Sequence, residues 1–387
     1  MRGKTAIVGA ADTVVGKVPD LSATELCVDA ALRALADAGI DKDEVDGLVT
    51  CQSMAEPHLY HAETVAEYLQ IFPKYCVTAN AGGGTTFSVI RNAAAAIVAG
   101  ICDTVVVSMA DSLRSGLTRD QAMAMQSSTG HPQFEIPYGP TVPAYYALLA
   151  RAHMDRFGTT SEQMAAVAVS GRNYAAQRPG AQMTDVITLD DVLESRMIAD
   201  PLHLLDCSLV SDGGAAVILT SAGNVGKFRS RPVYLLGMGE GHSHEHVSQA
   251  RDLTTSAAVQ SGREAYAMAG LAPADIDLAE IYDCFTPVVL IELEDLGFCA
   301  KGEGGAFVES GASALDGALP MNTNGGLLSY CHPGNPGSMF GLTEAVYQLR
   351  GDSGPRQVRD AETALVHGQG GIMSSHATLI LGKEQVL

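Results

Sequence analysis

Two related α/β halves are what this sequence predicts, and three observations carry the expectation. Short β-branched runs alternate with Ala-rich helical stretches through the first 111 residues, and the same rhythm returns after about residue 230. One helix–turn–strand pattern occurs in both places: AALRALADAGIDKDEVDGLV (30–49) and REAYAMAGLAPADIDLAEIY (263–282) share a helix, an Ala-Gly stop, an acidic turn and a strand. A chain of 387 residues, 47% of them hydrophobic, is long enough to bury the layered core that such a duplication builds.

In chain order, KTAIVGA (4–10) reads as a strand and 22–40 as an amphipathic helix. Val28, Ala31, Leu35 and Ala38 form its apolar stripe, Glu25, Asp29, Arg33 and Asp37 its solvated face, and Gly39 its stop. DGLVTC (46–51) and YCVTANA (75–81) are further strands. TTFSVIRNAAAAIVAG (85–100) is nearly all small and apolar, hence a buried helix, and DTVVVSMAD (103–111) is a strand. From 112 to 205 the rhythm breaks into a longer, aromatic, proline-punctuated stretch, as expected of an insertion that covers a site. SLVSDGGAAVILTS (208–221) returns to strand character. VYLLGMG, SAAVQSGREAYAMAGL, IDLAEIYD and LTEAVYQLRG then read as strand, helix, strand and helix. The expected organisation is 1–111 with 206–228 as an N-terminal half, 112–205 as the inserted region, and 229–387 as a C-terminal half.

The 24 Lys+Arg against 44 Asp+Glu leave a formal charge of −20, which argues against a nucleic-acid partner but leaves room for a phosphate-bearing ligand at a helix N-terminus. Eight cysteines stand singly, without a CxxC pair, and read as reduced thiols of a cytoplasmic protein. The N-terminal apolar run is too short for a signal peptide, and no stretch is long enough for a membrane span. His242, His244 and His246 alternate in GHSHEH, where three imidazoles on one strand face could hold zinc; a solvated loop is the simpler reading, and no metal site is expected.

Several motifs in order resemble the thiolase superfamily, in particular the sterol-carrier-protein type of thiolase and its thiolase-like steroid side-chain aldolase relatives. They are Ala-Gly-Ile-Asp at 38–41, the glycine-led helix at 82–100, MDRFGTTSEQMAAVAV (154–169), SDGGAAV (211–217), AEIYDCFT (279–286), NTNGGLLSYCHPGNPG (322–337) and VHGQGG (366–371). The resemblance implies a thiolase fold: two βαβαβαββ halves in a five-layer α-β-α-β-α arrangement, with an acyl-CoA site between them, usually in a homodimer. It also implies a small OB-fold/zinc-ribbon partner that helps bind the acyl-CoA. No cofactor is expected beyond the coenzyme A that the substrate carries.

A thiolase presents a nucleophilic cysteine at the tip of the buried helix, where partial positive charge lowers a thiol pKa. Counting back from AIVAG, that position falls on Gly83, and nothing from Ala81 to Thr85 is a cysteine. Cys102 stands at the far end of the helix, about 25 Å away at a rise of about 1.5 Å per residue. Covalent thiolysis is therefore not expected. By resemblance, His332 matches the family histidine that serves the thioester oxygen or acts as acid/base, and Tyr282 replaces the family's Asn or His donor. Tyr330, two residues before His332, is expected to aim at the same cavity. Tyr282, Tyr330 and His332 are thus the expected acid–base set for retro-aldol cleavage of a β-hydroxyacyl-CoA such as a steroid or lipid side-chain thioester. Gly82, Gly83, Gly84 and Gly370 are expected to bring backbone N–H groups close to the substrate. Two alternatives remain: an acyltransferase using Cys284 or Cys331, and a non-catalytic acyl-CoA-binding subunit. His367 and His376 are further candidates for the cavity wall.

Overall fold

The fold follows from where the apolar faces of these elements must go. The computed structural model describes residues 1–385. Its strands are β1 (Thr5–Asp12), β2 (Gly47–Cys51), β3 (Tyr75–Ala79), β4 (Thr104–Ser112), a small hairpin of β5 (Met197–Ala199) and β6 (Leu202–His203), β7 (Asp212–Ser221), β8 (Val233–His242), β9 (Leu278–Ile281), β10 (Thr363–Gly370) and β11 (Ser375–Gly382). Nine of them run in the order β3-β2-β4-β7-β1-β8-β11-β10-β9. Only Ala6↔Tyr234 and Ile7↔Val233 tie β1 to β8, so the sheet divides there into two half-sheets.

The half-sheets repeat one topology. β1–β7–β4 and β8–β11–β10 are antiparallel, while β2 and β9 join β4 and β10 in parallel. The fifth strand of the first half, β3, has its counterpart in a single parallel bridge between Ala279 and Met321. The duplication is therefore real, with one strand of the second copy reduced to a bridge.

Strand alternation sends Ile7 to the central layer and its neighbour Val8 to the outer one. The central layer holds the two helices Thr85–Val98 and Gly337–Arg350, packed between the half-sheets. Helix Ala23–Ala38 covers the outside of the first half-sheet. Its Ser22 makes a reciprocal cap with Glu25, and Gly39 ends it with φ 74°. Helices Ala258–Ala269 and Thr286–Asp295 cover the second. This is the layered, duplicated α/β architecture expected from the sequence.

Two local readings change. Residues 112–205 are largely helical, including Val142–Phe157 and Ser161–Ala175, because their apolar faces pack against helix Thr286–Asp295. The late helix starts at Gly337, one turn before LTEAVYQLRG, since the glycine-rich loop passes directly into it at Pro336. No helix among the described residues is long and apolar enough to cross a membrane, and all eight cysteines are free thiols.

Candidate active site

The buried helix Thr85–Val98 and the hairpin end of β10 meet through bare backbone. Gly82 has φ +59°, and a Cβ there would stand 2.6 Å from Gly370 Cα and 2.9 Å from Gly371 N. A Cβ on Gly370 would in turn lie 2.6 Å from the Ala81 carbonyl carbon. Only two glycines allow this approach. The turn is held locally by Ala81 N–H donating to Thr85 Oγ1 (2.6 Å) and Thr85 O–H donating to Gly82 O (2.6 Å).

Beside this junction lies a cavity of about 340 Å³. Gly82, Gly83, Gly370 and Gly371 supply one wall, Tyr282, Cys284 and His332 another, and Val142, Pro143 and Tyr146 of the inserted region a third. The helix N-terminus and glycine backbone suit an oxyanion.

Tyr282 stands just past β9, and its ring takes the space that a side chain at the helix tip would need. A Cβ on Gly83 would be 2.5 Å from Tyr282 Cε2 and 2.5 Å from Gln369 O. The thiol-free helix tip and the tyrosine are therefore a matched pair. Tyr282 Oη lies 2.9 Å from His332 Nε2, and His332 Nδ1 lies 2.7 Å from Ser208 Oγ. Burial holds the Tyr282 hydroxyl well above its usual range and lowers His332 to about 4, so both are neutral at pH 7. With both neutral, Tyr282 O–H donates to Nε2 and Nδ1–H to Ser208 Oγ in one tautomer, and Nε2–H donates to Tyr282 Oη and Ser208 O–H to Nδ1 in the other. The His332 backbone is pinned by its N–H donating to Ser211 Oγ (2.9 Å) and by Ser211 N–H donating to His332 O (3.1 Å).

Cys284 also faces the cavity. Gln369 Nε2 donates to its sulfur (3.1 Å) and to Tyr146 Oη (2.7 Å), while Tyr146 O–H donates to Gly371 O (3.0 Å). Burial, with Glu292 and Asp283 nearby, pushes the Cys284 thiol up, so it stays protonated and a poor nucleophile. Cys331 is fully buried in the central core and does not border the cavity.

Two expected site residues are placed elsewhere. Tyr330 does not aim at the cavity: its hydroxyl donates to Asp12 Oδ2 (3.0 Å) and accepts from Arg178 (3.3 Å), whose guanidinium lies over its ring. The reason is local. Tyr330 is the C-cap of the short helical turn Gly326–Ser329, which turns its ring edge-on to Phe340 and toward Asp12 and Arg178. Gly84 is the N-cap of the buried helix and faces the carbonyls of Ala81 and Ser375, behind the cavity wall. His367 and His376 also lie outside that wall. Asp212 is buried at the start of β7, where it accepts from the N–H groups of Val18, Arg114 and Ser115.

Ser208, Tyr146 and Gln369 escaped the sequence reading. Gln369 carried a signal, a lone polar residue between Gly368 and Gly370; Tyr146 and Ser208 carried none, because long-range packing alone brings them to the cavity.

The match to known proteins spans the chain. Residues 5–223 match the family model for the thiolase N-terminal domain, and 239–383 that for the thiolase C-terminal domain-like family. The chain is 38% identical to the 17-hydroxy-3-oxo-4-pregnene-20-carboxyl-CoA lyase of Mycobacterium tuberculosis, covering 99% of this chain and 100% of that one. It is 34% identical to an acetyl-CoA acetyltransferase of Methanothermobacter thermautotrophicus, covering 98% and 99%. Among solved structures, the Ltp2-ChsH2(DUF35) aldolase superposes with a TM-score of 0.87 at 35% identity, over 98% of each chain.

Proposed function

This chain belongs to the thiolase family, and from that premise we propose that it is a thiolase-fold aldolase, a carbon–carbon lyase acting on a β-hydroxyacyl-CoA of the steroid or lipid side-chain type. One observation carries the choice of lyase over acyltransferase: the Tyr282 ring fills the space a nucleophile's side chain at position 83 would take.

The chemistry follows from the Tyr282–His332–Ser208 chain. The substrate hydroxyl gives its proton to Tyr282 Oη as the Tyr282 proton passes to His332 Nε2, and Ser208 Oγ supports the imidazolium through Nδ1–H. The bond between the hydroxyl-bearing carbon and the thioester α-carbon breaks, leaving a ketone and a thioester enolate. Backbone N–H groups of the glycine junction take the enolate oxygen. The proton then returns through Tyr282 to the α-carbon, so the hydroxyl proton ends on carbon and no covalent acyl-enzyme forms. Glycine backbone at Gly82, Gly83 and Gly370 binds the substrate, and Tyr282 and His332 are its catalytic residues.

Three further readings complete the proposal. The half-sheet edge β3, each of whose residues is half-buried, supports pairing with a second copy of the chain in a homodimer. The likeness to the Ltp2-ChsH2(DUF35) aldolase supports a small OB-fold/zinc-ribbon partner. Eight free thiols support a cytoplasmic setting.

The test is incubation with 17-hydroxy-3-oxo-4-pregnene-20-carboxyl-CoA, with and without such a partner, followed by mass spectrometry. The expected result is a ring ketone plus propionyl-CoA. An acyl group covalently held on Cys284 would establish acyl transfer instead, and binding without turnover in both mixtures would establish a non-catalytic subunit.

A further inference from the structure

Behind the cavity wall, helix Thr286–Asp295 faces the hairpin β10–β11 and brings Glu292, His367 and His376 together. All three side chains are completely buried. His367 Nε2, His376 Nδ1 and Glu292 Oε1 form a near-equilateral triangle with sides of 3.1, 3.5 and 3.7 Å. Nitrogen and oxygen ligands about 2.0–2.1 Å from a tetrahedral zinc ion lie about 3.3–3.4 Å apart, which is the size of this triangle.

The surroundings prepare these atoms for a cation. Ser261 Oγ lies 2.8 Å from Thr378 Oγ1 and 3.3 Å from Ala258 O, so with the Ser261 hydroxyl turned to Ala258 the Thr378 hydroxyl donates to Ser261 Oγ. In that arrangement Thr378 Oγ1 accepts from His367 Nδ1–H (2.8 Å), the tautomer that presents a bare Nε2 lone pair to the centre of the triangle and that a bound cation would select. Neither oxygen of Glu292 has a hydrogen-bond partner. Among the described residues no Lys or Arg pairs with Glu292, and Asp295 and Asp283 add like charge to its surroundings. Burial and these neighbours push the Glu292 carboxyl well up, so it stays a neutral acid unless a cation occupies the triangle.

We infer that Glu292, His367 and His376 form a zinc site that fastens the β10–β11 hairpin, and with it the Gly370–Gly371 end of the cavity wall, to helix Thr286–Asp295. The site takes up its ion during folding, because no ligand atom is open to solvent. It stands independently of the lyase reading.

The experiment is metal analysis of the full-length protein, as isolated from zinc-supplemented growth and after refolding from denaturant with zinc. About one zinc per chain is expected, resistant to dialysis and lost on unfolding. X-ray absorption at the zinc edge should show imidazole scattering and no sulfur. Folded Glu292→Gln and His376→Gln variants should retain less than about a tenth of the metal. Wild-type protein without stoichiometric zinc in both preparations overturns the site. So do sulfur scattering, another ion at stoichiometry in place of zinc, or full zinc content in either folded variant. Should the variants fail to fold, the wild-type stoichiometry and ligand signature decide.

Discussion

Tyr282 Oη and His332 Nε2, 2.9 Å apart, join the end of β9 to the glycine-rich loop before helix Gly337–Arg350 and form an acid–base pair that faces the cavity through both partners. Removing only the phenolic oxygen should therefore stop chemistry and spare binding. Tyr282→Phe is expected to lower kcat about 10²–10⁴-fold with little change in substrate affinity, read by steady-state kinetics and by calorimetric titration of substrate.

Tyr330→Phe should behave in the opposite way. Its hydroxyl serves buried Asp12 and Arg178, so the variant should lose about 1–3 kcal/mol of stability in urea unfolding and keep turnover within a few-fold. A loss of turnover as large as that of Tyr282→Phe would return Tyr330 to the catalytic set.

The pH profile carries the sign of the His332 shift. Burial lowers this histidine from its usual value to about 4, so the neutral form that accepts the Tyr282 proton persists through mildly acidic solution. The acid limb of kcat/KM should fall near pH 4, not near pH 6.5, in a profile taken with the free enzyme. The same depressed value makes this group's contribution to stability complete above about pH 6.5 and lost as pH falls toward 4.

Gly83 and the Tyr282 ring should couple energetically. Gly83→Ala forces its methyl group into the ring and is expected to cost about 1–3 kcal/mol in urea unfolding. In a Tyr282→Ala background the same change should cost less, the remainder coming from the Gln369 carbonyl. Equal costs in the two backgrounds would show that the ring and the glycine do not share one volume.

Cys284→Ser should retain turnover, because the thiol is protonated and held by Gln369. Intact-protein mass spectrometry of the wild type during turnover should show no acyl adduct.

Periodicity made much of the fold legible: the Ala-Gly stops at Gly39 and Gly270 and the β-branched runs mark both halves, and the seven strands read from the sequence fall within a few residues of β1–β4 and β7–β9, whereas β10, β11 and the β5–β6 hairpin were not read. The fifth strand of the second half was not legible, since a single bridge at Met321 has no period. At the site, motif order placed Tyr282, His332, Gly82, Gly83 and Gly370 on one cavity. Tyr330 was misplaced because spacing in a loop does not fix the direction of a side chain. The Glu292–His367–His376 group was invisible because its members come from a helix and two strands, and no local spacing unites them.

The shared volume of Gly83 and Tyr282 also bears on how such a protein could change its chemistry over generations. A single codon change introducing cysteine at position 83 would meet the ring and the Gln369 carbonyl, and a single change removing the ring would leave no nucleophile and take away the group that passes the substrate proton to His332. Each intermediate is worse than either endpoint, so the two reactions are separated by a fitness valley that only a paired substitution crosses. Lineages that have settled on one side should tend to remain there.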